Sequence, residues 1–466
     1  MTILIKLIIF TFTASIALFG SLKAVLTITS IAICFPLFNV VPIKMPIGLT
    51  GFMLVAVLIS FRFLFSTIFI TQSIKIGNKQ FKILLGILGL FCFYSITASI
   101  SFPFIFDGAV DVYPPGNSFD NGIVKVKPSI SHIAQIIYIT IYFIFTLWVI
   151  QESFNKKYNY LEYHRFIFVG AIVAITFSIL QLFHKTLGTP FPMEILYDMP
   201  RRSGNAIEKV ILNIVPRVNG SFSEASDAAR YFTSIFSASL IAITFSKKTF
   251  NRCLLLLSSL CLLIAFSTTG IISISIILLT YFSIKFYNVH LPNLITNLQI
   301  PRSLPLILLI PILIFFILSN TQPELINNTK LIFTKLIIEK VNSGSFESRT
   351  GKDLLAFDIL PQTYFLGIGA GSHRSGSLMG YVLANNGLPG IILFLYFLTM
   401  LILIAISNKD DKDIAVCSSA FFGFILAKSI AGPGVADDIL WFTLILLLAS
   451  INKNSLNKNF KDHQIR

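Results

Sequence analysis

Charged residues are scarce in this 466-residue chain: they make up 12% of it, whereas a soluble domain carries about 25%. Hydrophobic residues make up 55%, and the mean hydropathy is +0.81. Apolar runs of about 17–25 residues, the length that crosses the hydrocarbon layer of a bilayer, recur along the whole chain. The lack of charge excludes a soluble globular protein, and the runs predict an all-α polytopic membrane protein.

Cysteine is sparse as well, and it never occurs in a metal-binding or redox pattern. All five cysteines lie inside apolar runs, and no CxxC or Cys/His cluster is present. Neither a disulfide framework nor a zinc site is therefore expected. The phosphate-binding pattern GxxxxGKS/T is also missing, so we do not expect the protein to draw energy from a cytoplasmic nucleotide.

The net charge of +15 arises from basic residues that are spread through short loops. This distribution fits the positive-inside rule for membrane proteins better than a nucleic-acid partner. The loops after the third, fifth and seventh predicted spans and the C-terminal tail contain basic residues that mark the predicted cytoplasmic side: Lys75, Lys79, Lys82, Lys156, Lys157, Arg165, Lys247, Lys248, Arg252, Lys453, Lys458, Lys461 and Arg466.

The apolar runs predict 12 to 14 transmembrane helices, with long loops on the opposite, outer side. The predicted spans are 2–19, 23–41, 47–70, 82–105, 130–150, 165–183, 226–246, 253–267, 270–286, 303–319, 387–406, 414–430 and 438–451. They divide the chain into N-terminal helices (1–183), an outer loop (184–225), central helices (226–319), a large outer loop with interfacial helices (320–386), C-terminal helices (387–451) and a basic cytoplasmic tail (452–466).

The first candidate site is "RVNGSFSEASDAARYF", where a polar loop enters an apolar run. It contains Arg217, Glu224, Asp227 and Arg230, and ionisable groups at the edge of the hydrocarbon usually face a wet cavity or the protein interior. Two simpler interpretations remain open. Glu224 could complete a capping box with Ser221 at the N-cap, and Asp227 could simply pair with Arg230.

The second candidate site is "LGIGAGSHRSGSLMGYVLANNGLPG". Its alternating glycines at 367, 369 and 371 permit sharp turns or close backbone approach, and His373 and Arg374 follow at once. The segment 377–384 is too short to cross a bilayer, which predicts a re-entrant or interfacial piece. The alternative is a flexible outer loop whose arginine reaches into the headgroup region.

The third candidate site is "GSFESRTGKDLLAFDILPQ", in which Arg349 and Lys352 precede an amphipathic stretch. Its apolar residues fit a helix that lies on the membrane surface: Leu354, Leu355, Phe357 and Leu360. A solvated arginine on such a helix is the alternative interpretation for Arg349.

Together, three predicted outer segments place arginines at the same membrane boundary. The planar guanidinium binds phosphate oxygens in pairs and keeps its proton, so a lipid-linked diphosphate is the ligand that this arrangement suits. Fixed cations would stabilise a diphosphate leaving group. A neighbouring carboxylate or imidazole, Glu224 or His373, could remove the proton from an attacking hydroxyl.

These residues resemble the O-antigen ligase/polymerase superfamily. The resemblance lies in "ESRTGKDLLAFDILPQTYFLGIGAGS", in "LANNGLPGIILFLYF" and in "RVNGSFSEASDAARYF", which is similar to the Arg-x-x-Gly-x-Phe-x-Glu-x-Ser segment of the polysaccharide polymerase branch. It covers mainly residues 200–400. Ligase-type members have a histidine at the start of the helix before Gly-Leu-x-Gly, where this chain has "SGSLMGYVLANNG".

The resemblance implies a membrane glycosyltransferase of the GT-C type in the inner membrane, with its active site facing the periplasm. Its substrate would be an undecaprenyl-diphosphate-linked oligosaccharide, its candidate partners a chain-length regulator and a flippase, and it would need no metal or nucleotide. Arg217 and Arg230 match the first arginine segment of the family, and Arg349 and Arg374 match the second. The base stays open between Glu224 and His373.

Three functions follow from these observations. The leading hypothesis is a polymerase for O-antigen, capsule or exopolysaccharide, with the four arginines at the diphosphates and Glu224 as the preferred base. The alternative enzyme is an O-antigen ligase, which transfers the finished glycan to a lipid A core. A flippase or other transporter is a third hypothesis, for which the expected midplane charges are confined to the isolated Arg62 and Lys428.

Overall fold

The structure is a computed structural model that describes residues 2–39, 49–70, 79–115, 122–155, 158, 160–197, 210–211, 215–246, 248–290 and 344–464. Helices form on the apolar runs because a backbone in lipid must satisfy its hydrogen bonds within its own segment. They are α1 (Thr2–Phe19), α2 (Leu22–Ala32), α3 (Gly51–Ile70), α4 (Lys79–Ile105), α5 (Ile130–Ser153), α6 (His164–Leu187), α7 (Met193–Leu196), α8 (Ala225–Phe245), α9 (Thr249–Ile264), α10 (Thr268–His290), α11 (Gly344–Gln362), α12 (Leu378–Ser407), α13 (Lys412–Ile430) and α14 (Asp438–Gln464).

Seven of the described helices are long and apolar enough to cross a membrane: α3, α4, α5, α6, α8, α12 and α13. Shorter apolar helices lie in α1, α2, α9 and α10. The chain is therefore a multi-pass membrane protein built from helices, as the composition predicts. The predicted total of 12 to 14 spans exceeds these seven, and the span predicted at 303–319 lies outside the described residues.

Two antiparallel hairpins add short strands to the loops. β1 (Asp111–Val112) pairs with β2 (Val124–Lys125), and β3 (Val210–Ile211) pairs with β4 (Val215–Pro216). The ion pair between Lys125 and Asp111 joins the first hairpin at 3.0 Å. The second hairpin lies in the predicted outer loop 184–225, and the first lies between the predicted spans 82–105 and 130–150.

Several predicted boundaries are wrong. α2 ends at Ala32, well before residue 41, because Pro36 cannot continue the helical hydrogen-bond ladder. α14 continues to Gln464, so in the described part of the predicted tail the chain stays helical through residue 464. Lys453 on this extension donates to the carbonyl of Leu161 at 2.6 Å, which secures it to the α5–α6 loop.

The long-range hydrogen bonds distinguish two ends of the helical assembly. At the end that we call the loop-rich end, Arg230 near the start of α8 binds the carbonyl of Ala431 after α13. At the opposite end, Asp413 at the start of α13 accepts a hydrogen bond from the amide of Tyr163 before α6, at 2.9 Å. All three candidate sites lie at the loop-rich end.

Helix α8 occupies the centre of the assembly, with 16 of its 21 residues buried. Small residues let it approach α13 closely, as is usual for helices packed within a membrane. The hydroxyls of Ser237 and Ser419 lie 2.7 Å apart, and Ser234 donates to the carbonyl of Ala420 at 2.8 Å. This packing fixes the position of α8 along its own axis and therefore the position of its first turn at the loop-rich end.

Helix α12 is interrupted at Gly387, which has φ 61° and ψ −161°. The short helical segment 378–386 is thus distinct from the long run that follows, and the break lies within "NNGLPG", just after the short segment predicted at 377–384. Ser377 caps the short segment by accepting a hydrogen bond from the amide of Gly380 at 3.1 Å. The break leaves room for the loop before α12 to cross the helix.

Candidate functional site

Four segments meet at the loop-rich end: residues 217–231, the N-terminal half of α11, the loop 363–377 (the arginine loop) and the loop 431–437 (the α13–α14 loop). The amide of Gly432 donates to the carbonyl of Gly376 at 2.9 Å, which joins the last two. A Cβ atom at Gly376 would lie 2.7 Å from the carbonyl oxygen of Arg349, so the arginine loop lies directly against α11.

Glu224 lies at the entrance to α8 with an exposed side chain. It is itself the N-cap residue, and its carboxylate forms no capping hydrogen bond. Ser221 donates instead to the carbonyl of Cys34. The capping-box interpretation is therefore wrong, because the helix begins at Ala225 rather than after Ser221. The one hydrogen bond that Glu224 accepts from a side chain comes from Ser226, at 3.2 Å, within the described residues.

Arg230 forms the ion pair with Asp227 that the sequence suggests. Its Nη1 donates to the carbonyl of Ala431 at 2.8 Å, and its Nη2 faces Asp227. The guanidinium also lies against Gly432, where a Cβ would come within 2.5 Å of Nη1. Both terminal nitrogens of Arg230 are thus bound to the protein itself.

Arg349 is at the electrostatic centre of the site. Its guanidinium interacts with Glu224, with Asp227 and with the cations of Arg230 and Arg374. Burial lowers the pKa of Arg349, Glu224 acts to raise it, and the neighbouring arginines lower it further. An arginine keeps its proton even so, which leaves a partly buried positive charge that an anion would stabilise.

Arg217 lies on the α9 side of the site. Its Nε donates to the carbonyl of Ala265 at 3.3 Å, and its own carbonyl accepts a hydrogen bond from Lys185 at 2.7 Å. Burial lowers the pKa of Arg217, while Glu224 acts to raise it and Arg349 to lower it. The charges of Arg217 and Arg349 therefore both interact with the same carboxylate.

Arg374 lies on the opposite side, next to β1. Its amide donates to the carbonyl of Tyr113 at 2.8 Å. Burial lowers the pKa of Lys352, and the charges of Arg374 and Arg349 lower it further. The ammonium of Lys352 stands 5.3 Å from the centre of the Tyr113 ring. The structure thus brings all four predicted arginines, Glu224 and Lys352 into one electrostatic cluster, which we call the cation cluster.

His373 is buried beside this cluster with both ring nitrogens engaged. Nδ1 accepts a hydrogen bond from the amide of Tyr113 at 3.3 Å, and Nε2 lies 2.9 Å from the carbonyl of Lys352, to which it donates. Burial lowers the pKa of His373 from 6.5 to about 4, although the Lys352 carbonyl acts to raise it. The neutral ring connects β1 to α11, and both of its nitrogens are occupied by the backbone of the protein itself.

We expect acid to weaken the fold through His373. Because its folded pKa of about 4 lies below the ordinary 6.5, its contribution is fully present above pH 6.5 and is lost as the pH falls toward 4. The loss amounts to about 2 kcal/mol at pH 5. Thermal unfolding of the wild type and His373→Gln between pH 7 and 5 measures it, and an equal decline in both would contradict the prediction.

The three alternating glycines bring the arginine loop against helix backbones. A Cβ at Gly367 would lie 2.5 Å from the amide nitrogen of Gly387, and one at Gly369 would lie 2.7 Å from the carbonyl oxygen of Ala98. A Cβ at Gly371 would come within 2.9 Å of the Ser131 backbone. All three have positive φ. Their close approach is thus to α12, α4 and the start of α5.

Sequence reasoning missed two carboxylates that border the cluster, Asp353 and Asp437. Asp353 accepts hydrogen bonds from the amides of Gly376 and Ser377 at 2.8 and 3.1 Å and so orients the arginine loop. Lys428, which the sequence presents as an isolated midplane charge, lies two residues before the end of α13 and pairs with Asp437 at 2.5 Å. The sequence offered one sign of this ion pair: Lys428 and Asp437 lie nine residues apart on either side of a helix end.

Among the described residues, no group of three or more His, Cys, Asp or Glu side chains could hold a metal ion. The cation cluster presents positive charge where a metal would need negative ligands, so its chemistry suits an anion. No protein-family model matches the chain, and no curated protein matches it in sequence.

Proposed function

We propose that the protein is a membrane glycosyltransferase, of GT-C type, that polymerises a polysaccharide at the periplasmic face of the bacterial inner membrane. It would transfer a growing glycan from undecaprenyl diphosphate to the terminal sugar of a second lipid-linked repeat unit. The observation that carries the proposal is the cation cluster, in which the charges of Arg217 and Arg349 both interact with the exposed carboxylate of Glu224.

In the proposed reaction, the bond between the anomeric carbon of the glycan and the diphosphate oxygen breaks, and the electron pair leaves with the lipid diphosphate. The acceptor hydroxyl forms the new glycosidic bond and gives its proton to Glu224. Arg217, Arg349 and Arg374 would stabilise the charge that develops on the leaving group, and such fixed cations act most strongly where water is excluded.

The four arginines divide into two roles. The terminal nitrogens of Arg230 bind Asp227 and Ala431, so we assign Arg230 a positioning role. Arg349 is the central diphosphate ligand because its charge interacts with Glu224 and with Arg374. Lys352, which interacts with Arg374 and Arg349, adds a fifth cation on the same side.

The ligase and transporter hypotheses have less support. A ligase of this family would use a histidine as its base, but His373 is buried with both nitrogens bonded. A transporter would place charges along a path through the bilayer. Lys428 is instead paired near a helix end, and Arg62 donates to the carbonyl of Gly20 at 2.9 Å.

Reconstitution of the purified protein in liposomes tests the function. The substrate would be lipid-linked repeat units extracted from a strain of the same host that lacks this protein. We expect chains of increasing length that remain attached to the lipid. Translocation without elongation would favour a transporter, and transfer to added lipid A core without elongation would favour a ligase; either result overturns the polymerase proposal.

The orientation can be measured separately by cysteine labelling. Lys127 lies at the loop-rich end and Lys248 at the opposite end, and both side chains are exposed. We expect a membrane-impermeant maleimide to label Lys127→Cys on cells whose outer membrane is opened, and Lys248→Cys only after the inner membrane is disrupted. The reverse pattern would place the cation cluster in the cytoplasm and contradict a periplasmic reaction.

A further inference from the structure

The α13–α14 loop, "AGPGVAD", is anchored by a buried ion pair. Lys428 is 1% exposed, and its Nζ lies 2.5 Å from Oδ2 of Asp437. The other carboxylate oxygen, Oδ1, accepts hydrogen bonds from the amides of Ile439 and Leu440 at 3.0 and 3.1 Å. Asp437 thereby links the end of α13 to the first turn of α14.

This anchored loop binds the side chain of Arg230. The carbonyl of Ala431 accepts a hydrogen bond from Nη1 at 2.8 Å. Gly432, at φ +137°, leaves no room for a Cβ atom, which would lie 2.5 Å from Nη1 and 2.8 Å from Cζ. A side chain at this position would displace the guanidinium.

The contacts extend from Arg230 to the proposed base. Arg230 pairs with Asp227, and Asp227 accepts a hydrogen bond from Ser223, the residue before Glu224. In the other direction, the amide of Gly432 binds the carbonyl of Gly376, two residues after Arg374. The α13–α14 loop is therefore the element that joins the base segment to the arginine loop.

Stabilisation of the fold alone does not explain why this ion pair is present. Taking two charges out of water costs several kcal/mol each, and an apolar pair of similar volume often does as well or better. Both charges of the pair also interact with Arg230: Lys428 repels it and Asp437 attracts it. The carboxylate of Asp437 thus attracts the charge of Arg230 as well as that of Lys428.

We propose that Lys428 and Asp437, together with the α13–α14 loop, form a positioning element that sets the first turn of α8 and the arginine loop in register for catalysis. This inference rests on the proposed function, because it assumes that the two segments are aligned to bind a diphosphate and to bring the base to the acceptor hydroxyl. Neither Lys428 nor Asp437 is a catalytic residue. They act through Arg230 and Gly432.

The test compares single and double variants. Lys428→Met and Asp437→Asn each leave one buried charge without its partner and should unfold at a clearly lower temperature. The double variant K428M/D437N removes both charges, and its Asn can still cap the amides, so its melting temperature should return to near the wild-type value. Its elongation kcat should nevertheless fall about 10- to 100-fold, since small misplacements of reacting groups have effects of this size.

Lys453→Met is the matched control. Lys453 stands 3.8 Å from Asp413 at the opposite end of the assembly. Its loss can lower the melting temperature but should leave the kcat of the folded protein unchanged. A double variant K428M/D437N that regains both stability and wild-type kcat overturns the inference, because a merely structural pair behaves that way.

A second measurement separates this inference from the proposed function. Inorganic pyrophosphate serves as the probe, and its binding is measured by its stabilisation of the detergent-solubilised protein against heat. We expect the double variant to bind it at least about fivefold more weakly than Lys453→Met, a loss of about 1 kcal/mol. If the wild type fails to elongate but this difference appears, only the polymerase proposal falls. Equal binding by both variants overturns the positioning role, and a wild type that neither elongates nor binds the probe overturns both proposals.

Discussion

Arg349→Ala should reduce the kcat/KM of elongation by about 10²- to 10³-fold, the largest effect expected of any cation in the site. Its guanidinium interacts with Glu224 and with both Arg230 and Arg374, so its removal leaves the cluster without its centre. The loss corresponds to about 2.7–4 kcal/mol of transition-state stabilisation. Initial rates in liposomes with native lipid-linked repeat units measure it.

Two further variants sharpen this experiment. Arg349→Lys keeps the charge but cannot bind two phosphate oxygens through a planar fork, so it should fall between the wild type and Arg349→Ala. Lys82→Ala removes an exposed cation at the opposite end of the assembly and should elongate normally. Normal elongation by Arg349→Ala would show that Arg349 does not bind the diphosphate.

Glu224→Gln should lower kcat by about 10²- to 10⁴-fold, because an amide cannot accept the proton of the acceptor hydroxyl. Because the carboxylate of Glu224 offsets the charges of Arg217 and Arg349, both Glu224→Gln and Glu224→Ala should lower the melting temperature modestly, but α8 should still form, since the side chain makes no capping hydrogen bond. Formate or azide added to Glu224→Ala should restore part of the rate. Unchanged elongation by the Gln variant would show that another group takes the proton.

The spanning helices were largely predictable from the sequence. α5 was predicted at 130–150 and α8 at 226–246, and the structure has Ile130–Ser153 and Ala225–Phe245. Both runs are apolar enough on average over a membrane-spanning length, although each contains polar residues, so hydropathy alone determines them. α2 was predicted too long because an apolar run of the right length does not reveal where a proline ends the helix.

The candidate site was predictable only in part. Arg217, Arg349 and Arg374 stood out because charge beside an apolar run is costly and therefore conspicuous. The environment of His373 was not predictable, since its partners Tyr113 and Lys352 lie 260 and 21 residues away along the chain. Sequence spacing suggested the pair of Arg230 with Asp227, but it could not show the hydrogen bond from Arg230 to the carbonyl of Ala431, 201 residues away.

The glycines of the arginine loop have a consequence for the energetics of the proposed reaction. At Gly367, Gly369 and Gly371 the loop touches the backbones of three separate helical segments, so it cannot shift without disturbing all three. The dipoles and charges that it presents are therefore already oriented before any ligand arrives. In water, solvent molecules must reorient as negative charge forms. In the proposed reaction the loop would already be oriented, so this reorganisation energy would be supplied once, during folding, rather than in every catalytic cycle.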